Sequence, residues 1–407
     1  MPIRPLIISG TPRGGTNLLD MILSVHPEVT VAQNPYLPLL KSFRNTLIRR
    51  SGKAPCHDWE APLDEYYYFD HKLEVMRLIQ AATMDIPFDA SEVAALMDSQ
   101  VKRMSFSSPR LIPLIDHLKG ETYRQLLDSG LRMIRLAHQR PEAAWVGFND
   151  NWAIEFFAPI ARSFPEARFM VILRDVRACI SSHLRLMQAV HTNPLYQYPK
   201  DRSLVALILS FARCWRKQVA FARHYQGMDL FKGRLHILTY EQLVKDPEKA
   251  TRRLCDFLEI DYRSGMIDTK NFVAPDGGAW LPNSNQEGVP QQGIFQDTVD
   301  RWKRSLDRDI LRLIEFVTAP DLAMAGYTLA EGLQNNGFYE EAYRCHVRDS
   351  RECQGWRTDN RNAEVDFGLE LLRQSCLDHR TDEAKLIERC FLFPEVYRAL
   401  LDKSPLL

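Results

Sequence analysis

The sequence predicts an α/β fold in which a parallel sheet is flanked by helices, with a helical insertion and a helical C-terminal extension. Two observations lead to this class. Short apolar runs alternate with helical patterns, and the first run meets a Gly-rich turn that opens a helix. At 407 residues, 45% hydrophobic and 26% charged, the chain can bury a full core as one large domain or two ordinary ones.

The first predicted strand, PLIISG at residues 5–10, runs into the turn TPRGG and the helical pattern TNLLDMILSVH. Gly10 and Gly15 have the spacing of a Walker loop, but Thr16 stands where that loop has its lysine, and the only cation is Arg13. Backbone N–H groups of such a turn bind phosphate oxygens at a helix N-terminus. The segment therefore indicates a P-loop-like anion site, with a plain strand-to-helix turn as the alternative.

A mostly helical insertion is predicted over residues 35–140, where Pro and Gly interrupt helical patterns. It carries the aromatic cluster EYYYFDHKLE. Packing in the core is favoured for that cluster over a role as a wall of the substrate site.

After the insertion, strands and helices alternate again. AAWVGF, ARFMVIL and GRLHILTY read as strands, while NWAIEFFAPIARSF, VRACISSHLRLM, residues 204–225 and the Pro-started DPEKATRRLCDFLEI read as helices. In parallel sheets ligands bind at the carboxyl ends of the strands. We therefore expect the functional residues at those ends.

The last part of the chain begins with a long loop, FVAPDGGAWLPNSNQEGVPQQGIF, whose Gly, Pro, Asn and Gln content is typical of a functional lid. After residue 330 the pattern is helical to Leu407. We expect this segment to pack on the main domain as an extension.

Composition and charge exclude several classes of protein. Lys+Arg 52 against Asp+Glu 52 gives a net charge of +0, which argues against a nucleic-acid partner. The eight cysteines form no Cys-x-x-Cys pair, so reduced, buried thiols and no metal site are expected. No signal peptide or membrane span is evident, so we expect a cytoplasmic protein without a membrane partner.

A second anion-binding pair is suggested by FMVILRDVRACISSHL. Arg174 ends an apolar strand, and Ser182 lies eight residues on, about two helical turns along the next helix. Together they could grip one anionic group. An ion pair of Arg174 with Asp175 or Asp150 is the alternative.

With the segments LTYEQLVKDP and VDRWKRSLDRDILRLIEFVTAPDLAMAGY added, the chain resembles the PAPS-dependent sulfotransferases, whose donor is 3′-phosphoadenosine-5′-phosphosulfate. It looks closest to the branch of tyrosylprotein sulfotransferases and bacterial small-molecule enzymes. Four blocks match in family order, and the resemblance covers roughly residues 5–330. It implies a sulfotransferase domain at residues 1–330 and an extension at residues 331–407.

The resemblance also implies which residues bind PAPS. The family's Pro-Arg-Ser-Gly-Thr-Thr loop falls on Pro12 to Asn17, with Gly14 in place of the usual Ser. Arg174 and Ser182 match the pair that binds the 3′-phosphate, and Trp302, Gly326 and Tyr327 match the closing segment. The donor-binding residues implied or proposed on this basis are Arg13, Gly14, Gly15, Thr16, Asn17, Arg174, Ser182, Tyr240, Ser284 and Arg301.

Two of these residues, Ser284 and Arg301, lie near the C-terminal loop, where the family makes its phosphate contacts with lysines. Asn283, Ser284 and Asn285 offer donors there, and Arg301 and Lys303 beside Trp302 could supply charge. A solvated helix face is the alternative for Arg301 and Lys303. No metal is implied, because sulfuryl transfer from PAPS needs charge stabilisation at the 5′-phosphate, which Arg13 would provide as a catalytic residue.

The general base is the point at which the sequence departs from the family. The tyrosylprotein branch has a Glu seven residues after the His of His-Pro-Glu, and here that residue is Gln33, which cannot accept a proton. Asp150, just after the strand that precedes the Arg174 strand, is the best candidate for the base. The other candidates are His57, His71, His117 and His138, and an acceptor that needs no strong base is a further possibility.

The function implied is sulfuryl transfer from PAPS to a hydroxyl or to an amine or amide nitrogen of a small molecule, a natural product, with 3′-phosphoadenosine 5′-phosphate released. A P-loop phosphotransferase is the first alternative, weakened because no lysine follows Gly15. A non-catalytic relative is the second, motivated by Gln33 and opposed by the intact donor residues.

Overall fold

The computed structural model describes residues 2–52, 72–88, 92–151, 153–190, 204–280, 293–331 and 363–407. Its centre is a sheet of five strands: β1 (Arg4–Gly10), β2 (Val29–Gln33), β3 (Trp145–Asn149), β4 (Arg168–Leu173) and β5 (Leu235–Thr239). The order across the sheet is β2-β3-β1-β4-β5, and every pairing is parallel. The predicted parallel sheet flanked by helices is confirmed.

The edge strand β2 was not predicted from the sequence. Its five residues, VTVAQ, lie between a helix end and Pro35, and polar residues interrupt the apolar ones. So short a run does not stand out from a loop by periodicity alone. All five residues are nevertheless buried, because neighbouring helices and turns cover this edge of the sheet.

The two faces of the sheet are covered by different helices. Along β1, Leu6 and Ile8 face one core and Ile7 the other, as the alternation of a strand requires. The first core is completed by α1 (Thr16–Val25), α9 (Tyr240–Lys245) and α10 (Pro247–Leu258). The second is completed by α6 (Phe157–Ser163), α7 (Val176–Val190), α8 (Leu204–Gln226) and α12 (Arg308–Met324).

The insertion is helical and packs on the second core. It contains α2 (Leu37–Ser51), α3 (Lys72–Ala81), α4 (Val93–Ser107), a 3₁₀ helix (Pro109–His117) and α5 (Tyr123–Ala137). Most of the aromatic cluster lies outside the described residues. The single helix predicted before β4 is instead a 3₁₀ turn (Ala153–Phe156) followed by α6.

The helix predicted around Trp302 is also divided in two. α11 (Trp302–Ser305) is a single turn, and α12 starts after Asp307. The Asp307 carboxylate accepts the Asp309 N–H at 2.8 Å, so it caps a new helix in place of continuing the first. Gly326, with φ of 86°, follows the end of α12.

Three C-terminal helices, α13 (Ala363–Asp378), α14 (Ala384–Cys390) and α15 (Pro394–Leu401), pack on one another, and α15 also packs against α8 and α12. Buried ion pairs join α13 to α8 and α12. The Glu370 carboxylate accepts hydrogen bonds from Arg216 at 2.7 Å and from Arg373 at 3.4 Å, and Arg373 also pairs with Asp321. The boundary at residue 330 stays a prediction.

The described cysteines carry buried thiols in place of disulfides, as expected: Cys179, Cys214, Cys255, Cys376 and Cys390. Within the described ranges, no three His, Cys, Asp or Glu side chains gather as a metal site. None of the described helices has both the length and the apolar content that crossing a bilayer requires.

Candidate functional site

The turn between β1 and α1 has a backbone that only particular residues accept. Arg13 has φ of 66° and Gly15 φ of 100°, and the Gly14 N–H donates to the Thr11 carbonyl at 2.8 Å. Gly15 caps α1, and no acidic residue occurs in the first helical turn. No side chain caps this helix start, so its first N–H groups can bind an anion.

The two glycines of the turn are required by their neighbours. A Cβ on Gly14 would lie 2.7 Å from the Thr11 carbonyl oxygen, and a Cβ on Gly15 would lie 2.4 Å from Cδ2 of Tyr240. The ring of Tyr240 thus lies directly against the turn. Sequence analysis placed Tyr240 near the donor, and the structure places it in contact with the loop.

The structure brings together Arg13, Arg174 and Ser182. Arg13 donates from Nε to Ser182 Oγ at 3.1 Å, and Arg174 donates from Nη1 to the Arg13 carbonyl at 2.9 Å. All three meet because β1 and β4 are neighbours and α7 starts directly after β4. The spacing of eight residues between Arg174 and Ser182 therefore corresponds to one local group of donors.

Arg174 is held by neutral groups, and no carboxylate within the described residues forms a direct ion pair with it. Its Nη2 donates to the Thr298 carbonyl at 2.8 Å, and its guanidinium lies 4.1 Å from the Tyr240 ring centroid. Tyr240 and Thr298 are themselves joined, hydroxyl to hydroxyl, at 2.8 Å. Sequence reasoning missed Thr298, because it lies in an irregular segment that no motif marks.

The alternative of an Arg174–Asp175 pair is not observed. Asp175 instead binds Arg177, at 2.9 Å to Nε and 2.7 Å to Nη2, and Arg177 reaches Glu315 at 2.6 Å. The Arg177 guanidinium also lies 4.1 Å from the ring centroid of Trp302. Trp302 therefore packs on Arg177, one turn from the Arg174 group, and this buried cluster fixes the start of α7.

Glu241 and Tyr327 complete the same support. The Tyr327 hydroxyl donates to Glu241 Oε2 at 2.9 Å, and the Asp175 N–H donates to Oε1 at 3.1 Å. Burial raises the pKa of Glu241 above its ordinary range, and burial likewise raises the pKa of Tyr327. Glu241 thus holds the backbone of Asp175, the residue that follows Arg174, and Tyr327 holds Glu241.

On the other side of the loop, asparagine side chains link the ends of β1, β2 and β3. Thr16 donates from Oγ1 to Asn151 Oδ1 at 3.3 Å, and Asn151 N–H donates to Asn34 Oδ1 at 3.3 Å. Asn149 binds Asp20 of α1, whose carboxyl pKa is raised well above its ordinary value by burial. No motif marks this cluster, because its members lie on three separate segments.

The candidates for the base are placed differently from one another. Asp150 is buried at the end of β3, and its N–H donates to the Ile8 carbonyl at 2.9 Å. Gln33 ends β2 and lines a cleft that His138 also lines, whereas His117 is exposed at the end of the 3₁₀ helix. His57 and His71 lie outside the described residues.

The remaining predicted donor residues do not join the Arg13–Arg174 group. Arg301 pairs with Asp297 at 2.7 Å and makes no hydrogen bond to that group within the described chain. Lys303 pairs with Asp300 at 2.8 Å. Asn17 is half-buried in the first turn of α1, and Asn283, Ser284 and Asn285 lie outside the described residues.

The donors present fit anionic groups. Arg174 Nε is buried and has no hydrogen-bond partner in the part of the chain that the structure describes. Such a group is costly unless something binds it. The glycine turn offers backbone N–H groups, and Ser182 offers a hydroxyl. The arrangement is suited to bind two phosphate groups of one ligand, one at the loop and one at Arg174 and Ser182.

Comparison with known proteins gives a family match over the same elements. The family model described as the sulfotransferase family matches residues 5–264. Protein-tyrosine sulfotransferase 2 of Gallus gallus is 22% identical over 327 residues, which are 79% of this chain and 69% of that protein. Protein-tyrosine sulfotransferase 1 of Danio rerio is 25% identical over 328 residues, 79% and 72% of the two chains.

Among solved structures, the sulfotransferase domain from the Synechococcus PCC 7002 olefin synthase aligns with a TM-score of 0.45 and 16% identity, covering 81% of this chain and 96% of that domain. The range matched by the family model contains Arg13, Arg174, Ser182 and Tyr240, whereas Thr298 and Trp302 lie beyond it.

Proposed function

The chain belongs to the sulfotransferase family, and from this premise we propose that it transfers a sulfuryl group from PAPS to a hydroxyl or to an amine or amide nitrogen of a small molecule, a natural product. The observation that carries the donor assignment is the contact between Arg13, Arg174 and Ser182 beside the glycine turn. A donor with both a 5′- and a 3′-phosphate matches two adjacent sets of anion donors.

In this proposal, each phosphate of PAPS has its own residues. The N–H groups of Gly15 and Thr16 bind the 5′-phosphosulfate, Gly14 lets the backbone approach it closely, and Arg174 with Ser182 binds the 3′-phosphate. PAPS supplies the activated sulfuryl group. Arg13 stabilises the charge that grows on the departing 5′-phosphate oxygen, as preorganised donors do for other developing anions.

The reaction balances without a further reactant. The bond between sulfur and the bridging phosphate oxygen breaks, its electron pair stays with the 5′-phosphate, and sulfur bonds to the acceptor oxygen or nitrogen. The acceptor proton goes to Asp150, which follows β3 beside Asn151, the residue bound to Thr16. We propose that no metal is needed, because the loop and Arg13 carry this charge stabilisation.

The two candidate functions differ in the acceptor of the sulfuryl group. Gln33, which cannot accept a proton, stands where the tyrosylprotein branch has Glu, and this favours a small molecule over a peptide tyrosine. The names of the similar vertebrate proteins favour a protein tyrosine as the second candidate. From the sequence we also propose a cytoplasmic location. The location would depend on which of the two acceptors the protein modifies.

A direct test uses the purified full chain, radiolabelled PAPS and a panel of phenols, alcohols, amines and amides beside a tyrosine peptide. Binding of 3′-phosphoadenosine 5′-phosphate is measured in parallel by calorimetry. We expect binding at tens of micromolar or tighter and labelled product from a small molecule. Absence of bisphosphate binding would refute the donor assignment, and product from the peptide alone would establish the second candidate.

A further inference from the structure

A cleft of about 390 Å³ follows the outer edge of β2, outside the donor group. Its floor is residues 30–33 of β2, and its walls come from α1, from the segment before α5, from the end of α5 and from residues 271–277. The donor residues lie over β1, β4 and β5. Gln33 pairs with Asn149, and Asn149 with Ile8 of β1, so the inner end of the cleft is two strand spacings, roughly 10 Å, from β1.

The charged groups of the cleft are all basic. Arg110 and Arg140 line it together with His138, and none of the described lining residues is Asp or Glu. Arg110 donates to the Ala137 carbonyl at 2.7 Å and Arg140 to the Ser24 carbonyl at 3.4 Å, and neither forms an ion pair within the described residues. Within the described residues, no carboxylate compensates either charge by contact.

Asp276, a carboxylate of the segment that forms one cleft wall, makes no ion pair with either arginine. Asp276 lies between two lining residues, but its Oδ1 accepts the N–H of Gly278 at 2.8 Å. His138 lies beside both arginines and is itself largely buried. Burial, Arg110 and Arg140 lower the pKa of His138 to about 4, while its Nδ1 lies 2.8 Å from the Thr30 hydroxyl.

The rest of the lining is apolar or neutral. Met21, Val25 and Val273 contribute apolar walls, and Val273 is 48% exposed at the rim. A ligand that satisfies both parts carries an anionic group and an apolar body. A volume of this size suits a small molecule.

The edge of β2 argues against an added peptide strand. The Val31 N–H donates to Ser24 Oγ at 3.2 Å, and Ser108 Oγ donates to the Gln33 carbonyl at 2.7 Å. These two backbone groups face away from β3, so an added strand would need both of them for its hydrogen bonds to β2. Side chains already occupy them, which leaves the cleft to a small ligand.

We propose that this cleft is a second anion site, in which Arg110 and Arg140 bind the carboxylate or sulfate group of a small molecule whose apolar body packs against α1 and Val273. The site is independent of the donor pocket and of the sulfuryl transfer proposed above. A ligand bound there has its near end beside Gln33, toward the loop.

His138 provides a local readout. The full chain is labelled at histidine Cε1, the His138 signal is assigned with His138→Gln, and its pKa is followed by NMR at constant ionic strength. The probes are pentafluorobenzoate and phenyl sulfate, which both stay anionic at the acid pH where His138 titrates, and the neutral isostere pentafluorobenzamide. An anion beside the imidazole favours its charged form, so we expect a saturable rise of about one pKa unit, tenfold in proton affinity, with an anionic probe.

The measurement on the wild-type protein is sufficient to support or to overturn the proposal. Saturation by pentafluorobenzoate, phenyl sulfate or both supports the site and assigns its anion, whereas no saturable change with either anion, or an equal change with pentafluorobenzamide, overturns it. The double variant Arg110→Gln, Arg140→Gln should lose the response. Arg132→Gln, on the exposed face of α5, should keep it.

Binding of 3′-phosphoadenosine 5′-phosphate to the same samples separates the two proposals. Its affinity should be unchanged in the double variant, which also verifies that the variant is folded. A failed His138 response with intact bisphosphate binding would refute the second anion site and leave the donor assignment standing.

Discussion

Arg13 and Ser182 are joined by a hydrogen bond of 3.1 Å from Nε to Oγ, although 169 residues separate them in the chain. Arg174 binds the carbonyl of the same Arg13. The residue proposed to act on the 5′-phosphate is therefore held at both ends by the pair proposed to bind the 3′-phosphate. Binding of one phosphate should position the donor for the other.

Replacing Arg174 should mainly weaken donor binding. In Arg174→Ala the charge and its hydrogen bonds are lost, and a charged hydrogen bond contributes about 1.5–3 kcal/mol. We expect the Kd of 3′-phosphoadenosine 5′-phosphate, measured by calorimetry, to rise roughly 10- to 150-fold. Arg132→Ala, an exposed arginine paired with Asp128, is the control. An unchanged Kd in Arg174→Ala would show that the 3′-phosphate binds elsewhere.

Ser182 has a matched neighbour that faces away from the site. Ser181 binds Ser305 at 2.7 Å, whereas Ser182 binds Arg13. Ser182→Ala should lower both bisphosphate affinity and kcat, each by about 2- to 10-fold, since a neutral hydrogen bond contributes about 0.5–1.5 kcal/mol. Ser181→Ala should leave both within twofold. Equal effects of the two variants would contradict the role of Ser182.

Asp150→Asn tests the proton acceptor. If Asp150 is the base, kcat should fall about 100- to 10,000-fold, because an amide cannot take the proton. Bisphosphate affinity should stay within a factor of two, as the donor groups do not include this side chain. Initial rates with radiolabelled PAPS and a responsive acceptor give kcat. Near-normal turnover would move the proton to another group or to water.

The role of Gly15 can be distinguished from that of a glycine that is needed only for its left-handed backbone. Both Gly15 and Gly52 have positive φ, 100° and 61°, but only Gly15 has a neighbour, Tyr240, where a Cβ would go. Gly52→Ala should lower the free energy of unfolding by about 1–2 kcal/mol and leave donor binding intact. Gly15→Ala should cost more stability and also weaken bisphosphate binding at least tenfold. Urea unfolding and calorimetry measure the two effects, and equal binding in both variants would contradict the contact with Tyr240.

His138 should make stability depend on acid pH. Its folded pKa of about 4 lies below the ordinary 6.5, because it is buried and faces Arg110 and Arg140, with Thr30 as its hydrogen-bond partner. The folded state thus disfavours the proton, so the stability present above pH 6.5 is lost as pH falls toward 4. Between pH 7 and pH 4.5, wild type should lose on the order of 2 kcal/mol more than His138→Gln. Parallel pH dependence of the two proteins in urea unfolding would contradict the buried, neutral imidazole.

Much of the donor site could be predicted from the sequence because its signals are local. The glycine turn follows directly from β1, and the eight-residue spacing of Arg174 and Ser182 spans one strand end and two turns of helix. The four strands that were predicted are apolar runs. Local signals of this kind can be recognised in the sequence without knowledge of the rest of the fold.

Other parts were missed for equally physical reasons. β2 is a short, mixed run that becomes a strand only because β3 pairs with it. Thr298 and Asn151 acquire their roles by contact with Arg174 and Thr16, which lie on other segments. Asp175, a candidate partner for Arg174, binds Arg177 instead, since both are fixed by Glu241 and Glu315.

The sequence by itself determined the α/β class, the glycine turn and the spacing of Arg174 and Ser182, because each depends on neighbours along the chain. The tertiary structure alone decided that Arg13 links these residues, and that Gln33 opens into a basic cleft with His138. Those relationships join strands and helices that are distant in sequence. They arise only when the sheet brings its carboxyl ends and its edge into a fixed order.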